Sequence, residues 1–239
     1  MLTALFLLAA SAPAPAEEAG PPRAARGILD LRSYDFDRME PVRLDGEWEF
    51  YWERLLEPSA LREGPDRPAA EYFDVPGIWN GRRSTGGRIG GDGFATFRLR
   101  VLTGGPARIR TLKIPVMATS YTLYVDGRRI ASNGTVTTQQ QYNPTTVSFE
   151  SSGTTIELVL HIANYSSDKG GPWNSILLGS EQQILRKRDL GLLYEYVLFG
   201  GLFVMGLYHF GIFFLRRNDR SAIYFGIFCL LIALRITLT

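Results

Sequence analysis

Two patterns of hydrophobic spacing divide the chain. Up to about residue 182, apolar side chains recur with the period of two that marks half-buried strands. Glu47-Trp48-Glu49-Phe50-Tyr51-Trp52 places Trp48, Phe50 and Trp52 on one face. Phe94–Val101 and Ile156–Ile162 repeat the pattern. Tyr121–Val125 leads through Asp126-Gly127 into Arg128–Ile130, and Asp-Gly between two strand patterns predicts a hairpin with a type I′ turn. No long helical period occurs before residue 183. Strands at short spacing with Gly and Pro turns predict an antiparallel sandwich or barrel over 28–182. Glu47 and Glu49 fall opposite the aromatics, on what reads as a solvated face. His161, between Leu160 and Ile162, reads as a structural histidine.

After residue 183 the pattern changes. Tyr196–Leu215 is 20 residues without a formally charged side chain. At ~1.5 Å per residue that spans ~30 Å, the thickness of a bilayer core. Arg216-Arg217-Asn218-Asp219-Arg220 follows, and Ser221–Leu234 is apolar again. The reading is a juxtamembrane connector over 183–189, a first span over 190–215, a short loop over 216–220 and a second span over 221–239. Gly200, Gly201, Gly206 and Gly211 do not form a G-x-x-x-G motif, yet small residues favour close helix packing in lipid. A homodimer through these helices is one expectation. Arg235 would lie ~21 Å into the second span and should face protein or snorkel outward. His209 reads as a polar contact between helices.

The amino terminus reads as an address. Leu2–Ala10 is a short apolar run, followed by Ala-x-Ala spacings around Pro13 and Pro15. This is the layout of a signal peptide over 1–16. Residues 17–27 read as a flexible lead-in. The sandwich is then extracytoplasmic and the 216–220 loop cytoplasmic.

Composition narrows the chemistry. The 239 residues carry 26 Lys+Arg against 24 Asp+Glu, a net charge of +2, which excludes strong steering of nucleic acid. One Cys excludes an intramolecular disulfide and multi-Cys metal sites, and two distant His leave little for metal ligation. No metal or cofactor is expected. Gly86–Gly93 lacks both the Lys-Ser/Thr ending of a P-loop and G-x-G-x-x-G spacing, and reads as a mobile loop. Nothing pairs a nucleophile with a base, so no catalytic residue is assigned.

Gly46-Glu-Trp-Glu-Phe50, Val75-Pro-Gly-Ile-Trp-Asn80, Phe94–Arg100 and Tyr124-Val-Asp-Gly127 occur in that order. Together they resemble the galactose-binding-like jelly roll that serves family 2 glycoside hydrolases as a sugar-binding domain. The resemblance implies an all-β jelly-roll sandwich and a small-molecule ligand of the carbohydrate class. It does not imply hydrolysis, because the catalytic carboxylates of those enzymes lie in a barrel that does not follow here. Stacking a sugar needs an exposed aromatic face, and orienting it needs amide or guanidinium groups. Trp79, Asn80 and Arg82 beside the Gly-rich loop form one candidate set. Asn164, Tyr165 and Trp173 in the loop Asn164–Asn174 form another. For each tryptophan, packing at the sandwich edge is the competing role. Asn133-Gly-Thr135 and Asn164-Tyr-Ser166 match glycosylation sequons.

The second half carries its own resemblance. Gly201–His209, Arg216–Ser221 and Tyr224–Arg235 look like the start of the bacterial seven-transmembrane receptors with diverse intracellular signalling modules. That implies five further helices and a cytoplasmic kinase, cyclase or phosphatase, so the chain reads as the sensor and membrane portion of a longer receptor. The alternatives are a membrane-anchored carbohydrate-binding or scaffolding protein and a membrane-tethered glycosidase.

Overall fold

The computed structural model describes residues 21–62, 64–65, 67–84, 87–104, 106–117, 119–134, 144–151, 153–165, 167–216 and 220–238. The expected signal peptide, the first residues of the lead-in, most of the 216–220 loop, and Thr135 and Ser166 of the two sequons lie outside them.

Among the described residues, thirteen strands precede two helices: β1 (Ile28–Asp30), β2 (Val42–Arg43), β3 (Gly46–Trp52), β4 (Glu71–Val75), β5 (Arg83–Ser84), β6 (Gly87–Arg88), β7 (Gly93–Leu102), β8 (Ile109–Ile114), β9 (Ser120–Val125), β10 (Arg128–Asn133), β11 (Thr145–Glu150), β12 (Thr155–Asn164) and β13 (Leu177–Gly179). The larger sheet runs β10-β9-β12-β7-β3-β4, with β1 added in parallel to β7. The smaller runs β11-β8-β13-β2. β12 lies between β9 and β7, and β13 between β8 and β2, so the chain crosses repeatedly between sheets. The expected hairpin joins β9 to β10, with φ of 48° at Asp126 and 79° at Gly127, the two positive values a type I′ turn requires.

The core fills the space between the sheets. Trp48, Phe50 and Phe97 are fully buried, as are Leu99, Leu112, Leu123 and Leu158. Rings of Phe50, Phe73 and Phe97 meet at 5.1–5.4 Å between centroids, within the range where aromatic pairs add attraction beyond burial.

Three expectations are corrected here. The lead-in is not free over its described part: Ala24 is buried and bridges to Gly46, and Ala25 bridges to Ile28. The Gly-rich stretch contributes β6, which pairs with β5 just before it, and Gly91 is bonded into the sandwich. Glu49 is not on a solvated face. The described residues of 53–70, with a 3-10 turn at Pro58–Leu61, fold over the outer side of the larger sheet and bury Tyr51, Leu61 and Val159. Thr96 Oγ1 donates to the Arg54 carbonyl at 2.7 Å and accepts from Leu56 N at 3.0 Å, while His161 Nε2 bonds Leu56 O at 2.9 Å. Under this cover Glu49, 3% exposed, pairs with Arg98 at 3.2 Å and Arg67 at 2.6 Å, and Arg98 also pairs with Glu157 at 2.5 Å. Burial opposes the Arg67 charge, but bonds to Glu49 and Tyr51 outweigh it and raise its pKa. Burial raises the pKa of Tyr51, whose hydroxyl donates to Glu49. Glu47 remains exposed.

The helices are α1 (Glu181–Leu215) and α2 (Ser221–Leu238). α1 starts at Ser180 because Ser180 and Gln183 form a reciprocal capping box: Ser180 Oγ accepts from Gln183 N at 3.3 Å and Gln183 Oε1 accepts from Ser180 N at 2.9 Å. The Gln183 amide also donates to the carbonyls of Phe36 and Met39, the latter at 2.6 Å. The 183–189 segment is therefore the opening of the helix rather than a separate connector. α1 is long and apolar enough to cross a membrane, and its large side chains from Leu190 to Leu215 are mostly exposed. α2 is a shorter apolar helix that packs on α1 where Gly206 meets Gly226: a Cβ on Gly206 would lie 3.2 Å from the Gly226 carbonyl oxygen. Packing without a G-x-x-x-G motif thus uses one glycine from each helix. His209 bonds Met205 O of its own helix at 2.9 Å, and its ring lies 4.5 Å from that of Phe225 on α2. The contact between helices there is aromatic.

Candidate functional site

Both candidate sets lie on loops that the sandwich brings together at one end. One loop leaves β4 through Pro76 and returns to β7 at Gly93. The other follows β12 from Asn164. They are joined main chain to main chain by Gly77 N to Pro172 O and Trp79 N to Gly170 O, each at 2.9 Å. Asn80 adds a side-chain clasp, donating through Nδ2 to Asp168 O at 2.7 Å and accepting at Oδ1 from Gly170 N at 2.9 Å.

Three of the six candidates, Trp79, Asn80 and Asn164, are bonded into this junction. Trp79 is fully buried. Its ring lies edge-on to Trp52 at 5.1 Å and parallel to Phe97 at 6.4 Å, and its Nε1 donates to Gly91 O at 2.9 Å. It cannot stack a sugar. Asn164 is likewise fully buried: Nδ2 donates to Gly91 O at 2.9 Å and Ser167 O at 2.7 Å, and Oδ1 accepts from Ser167 N at 3.1 Å. That is an Asx-type turn closing the loop on itself. A glycan cannot be carried by an amide in that position. Arg82 turns inward, with its guanidinium 5.0 Å from the Phe73 ring centre and 5.6 Å from that of Phe50, and Nη2 donates to the Tyr72 carbonyl. Trp173 is half-buried, and its indole N–H lacks a partner among the described residues.

Tyr165 is different. It is 55% exposed and lines an open cleft of about 510 Å³ with Gly90, Gly91, Asp92, Ser167 and Asp168. The cleft sits on the junction of the two loops, and the buried Asn164 and Trp79 fix its floor by holding the Gly91 carbonyl. Its chemistry is one aromatic face, the polar Ser167, and two exposed carboxylates that can accept bonds from hydroxyl or ammonium groups. Asp92, Ser167 and Asp168 were missed by sequence reasoning, because nothing local distinguishes them from ordinary loop residues. Their one signal is membership of the two loops that hold the candidates. Among the described residues no group of three or more His, Cys, Asp or Glu is placed to hold a metal ion.

No protein-family model matches the chain, and no curated protein matches it. Solved structures do overlap it. A family 2 β-galacturonidase from Eisenbergiella tayi, bound to galacturonate, is 14% identical with a TM-score of 0.40, covering 59% of this chain and 24% of its own. The β-glucuronidase of Ruminococcus gnavus is 17% identical with a TM-score of 0.45, covering 58% and 27%. Bacteroides uniformis β-glucuronidase 3 is 14% identical with a TM-score of 0.44, covering 59% and 22%. This chain thus spans about a quarter of the length of those solved chains. The β sandwich itself stands on its own strand pairing.

Proposed function

We propose that the chain is the ligand-binding and membrane-spanning portion of a bacterial signalling receptor. In this reading the sandwich lies outside the cytoplasm and binds a carbohydrate or related polyol in the Tyr165 cleft. Binding shifts the population of arrangements of the sandwich relative to the helices, and the shift passes towards the cytoplasmic side. Hydrolysis is no part of the proposal.

One observation carries it. Gln183, in the first turn of α1, bonds the loop at Phe36–Met39 while capping a helix that then runs unbroken to Leu215. That helix is ~52 Å long at ~1.5 Å per residue, more than the ~30 Å of a bilayer core. Its apolar side chains from Leu190 onward have almost no protein to bury them. Exposed apolar surface on this scale is costly in water and favourable in lipid. A sandwich fastened to such a helix has a direct mechanical route to a membrane.

Two measurements test the reading on the full chain. A reporter fused at Arg216–Arg220 should report a cytoplasmic turn, and an external turn or a protein released without detergent would refute membrane crossing. A thermal-shift screen against neutral sugars, amino sugars and uronates should find a ligand that raises the melting temperature through mass action. A Gly/Ser insertion between Leu185 and Arg188, beyond β13 and the Ser180–Gln183 cap, should then leave that shift intact while abolishing any signalling output.

A further inference from the structure

A second cleft, of about 470 Å³, lies where α1 leaves the sandwich. Arg43, Lys113, Pro115, Asn174, Ser175, Leu177 and Lys187 line it. Sheet register fixes two of its cations. Leu177 of β13 pairs with Arg43 of β2 on one side and with Lys113 of β8 on the other. The three residues form one row across the smaller sheet. Directly paired residues share a face, and Val42, Leu112 and Leu178, one position on, are buried. Arg43 and Lys113 therefore both project outward, one strand to either side of Leu177, ~10 Å apart at ~4.8 Å per strand. The third cation, Lys187, comes from the second turn of α1.

The lining has three positive charges, two neutral polar side chains and no carboxylate. Arg43 is tied by Nε, 3.4 Å from Asp45 and 3.2 Å from Ser175 Oγ, and Lys187 Nζ is 3.4 Å from Glu40. Neither acid lines the cleft. No ion pair is formed by Lys113 among the described residues. Ser175 accepts from Arg43, which leaves its own O–H to donate. A tetrahedral anion can take bonds from the Lys113 ammonium, from the donors that Arg43 and Lys187 keep beside their acidic partners, and from the hydroxyl.

We infer that this cleft binds a phosphate group. Resting on the membrane-spanning reading, its natural source is the headgroup of an anionic phospholipid, since Lys187 stands only a turn before the exposed apolar length that begins at Leu190. Free phosphate offers the same chemistry. Bound headgroup would tie the smaller sheet to α1 and fix the height of the sandwich above the bilayer.

The test uses the full chain with three readouts. First, flotation with vesicles of phosphatidylcholine containing phosphatidylglycerol reports membrane association; a chain that does not float refutes the membrane reading and with it the lipid source. Second, the chain is reconstituted in those lipids and re-extracted with neutral detergent. Retained phosphatidylglycerol should exceed its share of the bulk lipid several-fold, and the excess should vanish in the Arg43→Gln/Lys113→Gln double variant and shrink in Lys187→Gln. Third, inorganic phosphate is titrated against the detergent-solubilised chain. A rise in unfolding temperature that the double variant loses assigns the site to free phosphate when no lipid enrichment is seen. All these substitutions lie on exposed or half-exposed side chains, and wild-type-like circular dichroism separates loss of the site from loss of the fold. Flotation without lipid enrichment and without a phosphate shift, or either effect unchanged in the double variant, overturns the inference while leaving the receptor reading in place.

Discussion

Gly170 lies flat against the indole of Trp79: a Cβ on Gly170 would sit 2.2 Å from Trp79 Nε1 and 2.3 Å from Cε2. The indole is fully buried between Trp52 and Phe97 and has nowhere to go. Gly170→Ala should destabilise the protein by about 1–3 kcal/mol, the usual penalty of overpacking. Denaturant unfolding of the full chain, followed by tryptophan fluorescence, checks this; an unchanged midpoint would show that the two loops can part without penalty.

Tyr165 and Trp79 should separate cleanly as variants. Tyr165→Ala removes an exposed ring and should alter stability by no more than about 0.5 kcal/mol. In the proposed function it abolishes the thermal shift produced by sugar. Trp79→Ala should instead cost about 3–5 kcal/mol of stability. If Tyr165→Ala binds sugar as the wild type does, the cleft is not the site.

The ion network under the 53–70 cover offers a contrast of environments. Arg98 is 4% exposed and holds both Glu49 and Glu157. Arg98→Met leaves the buried Glu49 with Arg67 alone, and removal of one member of a buried pair typically costs about 3–5 kcal/mol. Arg23 and Asp74 pair at 2.9 Å with side chains 58% and 67% exposed. Arg23→Gln should cost no more than about 1 kcal/mol, because water screens the pair. Equal losses in the two variants would mean that water reaches the network.

Asp30 gives the acid limb a defined component. Bonds from the Arg32 side chain and then its backbone N–H lower its pKa from 3.8 to about 2. A carboxyl whose pKa falls on folding contributes stability that is complete above its unfolded value and is lost as pH drops towards the folded one. The difference in unfolding midpoint between wild type and Asp30→Asn should therefore be constant above pH ~5, shrink from about pH 4 downward, and be gone below about pH 2. A difference that persists there contradicts the assignment to the Asp30–Arg32 pair.

Gly206→Leu should open the helix pair, because the space a side chain needs is filled by Leu230 and the Gly226 carbonyl. Cys229, 2% exposed on α2, is the reporter. Maleimide should label it several-fold faster in the variant than in wild type, in detergent. Unchanged labelling would place the helix contact elsewhere.

The strands were legible because period two is a local property, and the Asp126-Gly127 turn because its backbone demands are local too. The fate of Glu49 was not. Alternation says that a strand has two faces, but not that residues 53–70 will cover the second. The cations that neutralise Glu49 stand on another strand, at Arg98, which also holds Glu157, and in that cover, at Arg67. Trp79 was ambiguous for the same reason. An aromatic residue in a loop stacks a ligand or plugs an edge according to what approaches it, and what approaches is Gly170, far along the chain. Asn164 carried a readable hint, an Asn at a strand end with Ser167 three positions on. Tyr165 alone, of the six candidates, kept the openness that stacking requires.

The Ser180–Gln183 cap gives α1 the geometry of a lever with its fulcrum at the sandwich. A tilt of roughly 5° at the cap would swing the far end of a ~52 Å rod by ~4.5 Å, nearly half the width of a neighbouring helix. Small adjustments at the Phe36–Met39 loop are thereby magnified with distance, and no hinge is needed to do it.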